Sequence, residues 1–83
     1  MKNTAQQKRE AAIGVIKESA RRWSAGYIVR DQIAEFTGGA YSSRYFANLD
    51  SRREGVQNSF KVGRRQCYPV ESLVRFLISR LEV

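Results

Sequence analysis

Six cationic side chains, Arg44, Arg52, Arg53, Lys61, Arg64 and Arg65, fall within 22 residues whose only acids are Asp50 and Glu54. Cations at this density suit phosphate chemistry, because an array on a rigid surface docks on a polyanion and releases its condensed counterions. One phosphate per cation implies a log–log salt slope of about −5. The whole chain leans the same way, with 15 Lys and Arg against 8 Asp and Glu and a net charge of +7 over 83 residues. A charge run is also what a solvated face looks like. Against that stands its coincidence with a short helix and a two-stranded ribbon, two shapes that fit nucleic-acid grooves.

Other chemistries find few residues to use. The chain has no histidine and one cysteine, Cys67, which excludes a His-dependent triad, a His-ligated metal, an internal disulfide and a multi-cysteine zinc site. Alternation along the ribbon puts Cys67 outside, beside two arginines that would lower its pKa and make it redox-sensitive. With no resolving cysteine, a small tolerated residue is the plainer reading. Glu35 and Glu71 have no nucleophile, cofactor loop or pocket to serve and read as surface charges. Tyr41, Tyr45 and Tyr68 have the rings that single-strand binders stack on bases. Tyr41 and Tyr68 fit the core better, and Tyr45 is left as a phosphate donor. No enzyme, cofactor or metal is expected. No apolar run reaches the roughly 18 residues of a membrane span, and the N-terminus lacks a secretion signal, so a soluble cytoplasmic protein is expected.

The elements that would position the cations follow from spacing. Thr4 and Gln7 fit a capping box for a helix to about Arg22, with Ala12, Ile16, Ala20 and Trp23 as its apolar stripe, widened by Ile13 and Val15. After a break at Ser24–Gly26, Tyr27 and Ile28 suit a short strand. Arg30 to Thr37 reads as a second helix burying Val29, Ile33 and Phe36. Gly38-Gly39 ends it, and Ser42 caps a third helix running to about Arg53, stopped by Gly55. Phe46 and Leu49 face inward there, while Arg44, Ala47, Asn48 and Ser51 face out. Gly63-Arg64 is a two-residue hairpin signal between Ser59–Val62 and Arg65–Tyr68. Phe60, Val62, Gln66 and Tyr68 are assigned one face of that ribbon, and Lys61, Arg65 and Cys67 the other. Pro69 opens a last helix with Leu73, Phe76, Leu77 and Leu81 as its stripe.

The ordered set resembles a known family. The run DQIAEFTGGAYSSRYFANLDSRREG, followed by SFKVGRRQCYPVESLVRFL, is similar to the winged helix-turn-helix of phage excisionases and AlpA-type regulators in the MerR-like superfamily. Ile33-Ala34, Gly38-Gly39, Phe46–Leu49, Phe60–Arg65, Tyr68 and Leu73/Phe76/Leu77 carry the match, over about residues 27–78. The chain departs from the pattern at Gly55-Val56-Gln57, where Gly-Pro is common, and at Gln66 and Cys67. The N-terminal helix lies outside it.

The resemblance implies a single α+β, mostly helical DNA-binding domain over 1–83. An extra N-terminal helix would occupy 1–26, and a winged helix-turn-helix with a two-stranded wing 27–83. It implies a sequence-specific binder of double-stranded DNA from a prophage or mobile element, an excisionase or a small transcriptional regulator, with an integrase or recombinase as protein partner. The third helix would enter the major groove through Ser43, Arg44, Asn48 and Arg52, and Lys61, Arg64 and Arg65 would reach the minor groove or its phosphates. Arg30, Tyr45 and Ser51 complete the expected contact set. No sustained heptad seam is present, so a monomer is expected in solution, assembling head to tail on DNA. Two other readings stand: a module whose basic face meets an acidic protein, and an RNA or single-strand binder using the tyrosines.

Overall fold

The computed structural model describes residues 4–82 of the chain. Helix α1 (Ala5–Arg22) begins where the capping box predicts: Thr4 Oγ1 accepts from the Gln7 amide at 3.1 Å and Gln7 Oε1 from the Thr4 amide at 2.8 Å. α1 rests on the last helix, α4 (Val70–Ser79), yet none of its residues is buried. Val15 does not join the apolar stripe and stands 67% exposed. A helix with one main neighbour has only a narrow strip covered, and Val15 lies about 100° round from the half-buried Ile16.

Strands β1 (Tyr27–Val29), β2 (Phe60–Val62) and β3 (Arg65–Pro69) form one antiparallel sheet in the order β1-β3-β2. The expected two-stranded ribbon is thus widened at its base by β1, with Ile28 opposite Tyr68 and Val29 opposite Cys67. Gly63, at φ 62°, makes the tight turn that places Val62 opposite Arg65, Lys61 opposite Gln66 and Phe60 opposite Cys67. Opposed residues share a face. One face therefore bears Phe60, Val62, Arg65 and Cys67, and the other Lys61, Gln66 and Tyr68, which corrects the assignment drawn from alternation alone. A two-residue turn fixes the register, and an error of one residue flips a whole strand. Cys67 is consequently not outside but fully buried, flanked across the strands by Val29 and Phe60.

Between β1 and the ribbon lie the helices that carry the candidate contacts. A 3-10 turn (Arg30–Gln32) runs into α2 (Ile33–Phe36) in place of one longer helix. Val29 offers no side-chain cap, and Gln32 Oε1 accepts from its amide instead, at 3.3 Å. Gly38 and Gly39, at φ 64° and 88°, end α2, and the Gly39 amide donates to Ala34 O at 2.8 Å. Thr37 Oγ1 braces the turn, donating to Ile33 O at 2.8 Å and accepting from the Tyr41 amide at 3.2 Å. Helix α3 (Ser43–Ser51) starts on Ser42, whose hydroxyl accepts from the Tyr45 amide at 3.1 Å.

α3 stops short of Arg53, and Gly55 is not what stops it. Arg53 itself adopts φ 60°, and the Glu54 amide closes the end on Leu49 O at 2.9 Å. Gly55 serves a steric need: a Cβ there would collide with Asp50 Oδ1.

Ile28, Ile33, Phe46, Leu49, Val56, Tyr68 and Leu73 form the core, with Trp23, Phe36, Tyr41, Phe76 and Leu77 around it. Phe46 is its centre, with Tyr68 and Phe76 edge-on at 5.4 and 5.3 Å. Leu81 lies beyond the end of α4 and is only half-buried.

Candidate nucleic-acid interface

Burial of Phe46 and Leu49 fixes how α3 is turned about its axis, and this leaves Arg44, Asn48 and Ser51 exposed on the far side. Their spacing of four and then three residues stacks them in one row along the helix. Among the described residues, neither the Arg44 nor the Asn48 side chain has an intramolecular polar partner. Ser51 is turned back on its own helix, its hydroxyl donating to Asn48 O at 2.8 Å. Ser43, in the first turn, is half-buried. Arg52 leaves the end of α3 exposed and sits 3.6 Å from Glu54.

Tyr45 does not present its hydroxyl freely. Its ring stacks on Tyr41 at 5.4 Å, and its hydroxyl accepts from Arg80 Nη1 at 3.1 Å, while the Arg80 guanidinium lies 4.6 Å from the centre of the Phe76 ring. The tyrosine ties the start of α3 to the end of α4.

The ribbon cations divide. Lys61 shares the face of Gln66, which lines a groove of about 440 Å³ with Arg53, Gln57 and Ser59 between the end of α3 and the ribbon. Arg64 is at the exposed hairpin tip. Arg65 lies on the opposite face, where its Nη1 pairs with Asp31 Oδ2 at 2.7 Å. That same face exposes Tyr27, Phe60 and Val62, the first two ring to ring at 5.5 Å. Lys61 and the groove thus belong to the sheet face that α3 packs against through Tyr68 and Asp50, and Arg65 to the other face. Gln57, Ser59 and Gln66, which are uncharged and follow no period, line this groove and are missing from the sequence-derived contact set. Arg53 entered the sequence reading only as one of the six clustered cations, with no role of its own, because it was read as part of a helix that ends before it.

Arg30 turns inward. Its Nη2 meets Asp50 Oδ2 at 2.5 Å and its Nε donates to the Tyr68 hydroxyl at 2.9 Å, while that hydroxyl donates to the same Asp50 oxygen at 2.6 Å. Burial works against the Arg30 charge, but the hydrogen bonds to Tyr68 and Asp50 outweigh it and hold the guanidinium above its usual range. Burial, and then the bond to Asp50, pushes the Tyr68 phenol up from 10.0 to about 12. A raised phenol pKa favours the neutral folded form, so the associated stability is complete below pH 10.0 and lost as pH rises through about 12. Urea midpoints are expected to fall across that interval, and Tyr68→Phe to show a shallower fall. Equal alkaline slopes in both proteins would contradict this assignment.

No group of three or more His, Cys, Asp or Glu gathers among the described residues, and no described helix is long and apolar enough to cross a membrane. Compared with protein-family models, with curated proteins and with solved structures, the chain gives no match.

Proposed function

We propose that this protein binds double-stranded DNA in a sequence-specific manner, as a winged helix-turn-helix whose α3 reads the major groove and whose β2–β3 ribbon contacts the neighbouring minor groove or its phosphates. The observation that carries the reading is the exposed α3 row, with Arg44 and Asn48 one turn apart and without polar partners, on a helix whose end shares a polar groove with a basic ribbon. An unpartnered arginine suits guanine and an asparagine suits adenine, each through paired hydrogen bonds. Lys61 and Arg64 supply cations where the backbone would run between helix and ribbon. The excisionase or small-regulator role, the prophage context and a recombinase partner come from the family resemblance. A monomer in solution, joined head to tail on DNA, fits the same reading. The exposed apolar face of Tyr27, Phe60 and Val62 favours a second reading, a protein-contact module.

Variants of the two elements should fail differently. Arg44→Ala or Asn48→Ala should weaken the preferred duplex by roughly 1–3 kcal/mol and scrambled duplex far less, flattening specificity. Lys61→Ala with Arg64→Ala should weaken both duplexes together and reduce the salt slope by about two. Arg65→Ala, on the opposite face, should leave the slope nearly unchanged. Titrations of each variant against both duplexes across a salt series check this. Helix variants that keep the full specificity ratio would show that α3 is not the reading element.

A further inference from the structure

Three separate elements meet at a single carboxylate oxygen. Arg30 comes from the 3-10 turn, Asp50 from the last turn of α3 and Tyr68 from β3, and the three are linked pairwise at 2.5, 2.6 and 2.9 Å. No member can swing away without breaking two of the three bonds. The other Asp50 oxygen is walled by Gly55, where even a methyl group would collide. Tyr68 is fully buried, and the Arg30 and Asp50 side chains are 28% and 19% exposed.

Such a cluster is a poor device for stability alone, since apolar side chains of similar volume often hold a core as well or better. It differs from them in direction. A planar guanidinium bonds along fixed vectors, whereas apolar contacts tolerate sliding. Apolar packing joins the middle of α3 to the base of β3, ring against ring at Phe46 and Tyr68, but a polar groove lies between the end of α3 and the rest of the ribbon, and there direction falls to the cluster.

We infer that Arg30, Asp50 and Tyr68 form a positioning clamp that fixes the angle between α3 and the β2–β3 ribbon, and with it the number of base pairs separating helix and ribbon contacts on DNA. The spacing part rests on the DNA-binding reading; the angle is a property of the free protein. Arg30 therefore acts on recognition through the two elements it joins, without touching DNA.

Two measurements separate these parts. In the free wild-type protein, amide residual dipolar couplings of α3 and of β2–β3 should fit one alignment tensor. In Tyr68→Phe, which keeps the ring and loses only the hydroxyl, and in Asp50→Asn, the ribbon couplings should shrink relative to those of α3 and need a second tensor. Leu77→Ala, which lowers stability at a site away from the clamp, should still fit one. Couplings of folded Tyr68→Phe that fit the wild-type tensor would overturn the clamp, as would two tensors in Leu77→Ala.

The second measurement uses duplexes that the wild-type protein selects from a random-sequence pool, with one base pair inserted between the helix and ribbon footprints. The insertion displaces the ribbon subsite by about 3.4 Å. It should cost the wild type about tenfold, comparable to one mismatched position, and Tyr68→Phe roughly threefold or less. An undiminished tenfold penalty in Tyr68→Phe would overturn the spacing role. A wild-type protein that selects no duplex would instead sink the DNA-binding reading, with the couplings still deciding the clamp.

Discussion

Raising monovalent salt from about 50 to 200 mM should weaken duplex binding by roughly 150-fold, with a log–log slope of about −3.6. Of the six clustered cations, Arg44, Arg53, Lys61 and Arg64 are exposed and have no acidic partner among the described residues. At about 0.9 counterion per neutralised phosphate, four such cations give that slope. Arg52 is held by Glu54 at 3.6 Å, but both side chains are more than half exposed, and pairs of that kind hold weakly. Opening it on DNA would steepen the slope to about −4.5 and the loss to roughly 500-fold. Arg65 faces away with Asp31 and adds nothing, so the structure lowers the value that six equivalent cations imply. Fluorescence anisotropy with labelled duplex over a salt series is sufficient. A slope near zero, or equal affinity for an acidic polypeptide, would remove the case for a DNA-binding face.

The largest loss of stability is expected from Asp50→Ala. It leaves the Arg30 guanidinium partly buried without a counter-charge and takes from Tyr68 its acceptor. Breaking one side of a buried pair costs about 3–5 kcal/mol, and the residual exposure of Arg30 places this case near 3. For a chain of this size that is a fall in melting temperature of roughly 12–24 °C. The triple change Arg30→Met, Asp50→Leu, Tyr68→Phe should recover most of it, because no stranded charge remains. Thermal and urea melts of the three proteins give the comparison. An Asp50→Ala protein as stable as the wild type would mean that water reaches the arginine freely.

Local signals were legible wherever a few neighbouring residues decide the backbone. Thr4 with Gln7, Ser42, Gly38-Gly39 and Gly63 each fix a turn or a helix end within four residues, and each does so in the structure. The row Arg44, Asn48, Ser51 was legible too, because Phe46 and Leu49 set the helix face. What escaped depends on distant partners or on an unfavourable local choice. Arg30 looks like a surface cation until Asp50, 20 residues on, and Tyr68, 38 residues on, close around it. Arg53 is a poor residue for φ 60°, so nothing local announces the end of α3 there. Cys67 was misplaced although its turn was legible: a two-residue turn at Gly63-Arg64 pairs Val62 with Arg65, and alternation counted along each strand without that pairing put Cys67 on the wrong face.

The pairing of Tyr27–Val29 with Cys67–Pro69 ties together the two ends of a stretch that contains α2, α3 and β2, nearly half of the chain. This divides the assembly of one small sheet into two unlike events. The β2–β3 hairpin is local and can close within about 1–10 μs. Adding β1 requires the long intervening loop to close first, with an entropic cost that local pairing does not meet. Tyr68 sits on the shared strand, so it belongs to both events: it enters with the hairpin and reaches Arg30, the residue directly after β1, once that strand docks. On this topology the contact between Arg30 and Tyr68 belongs to the later event, so the angle between α3 and the ribbon is expected to be set late.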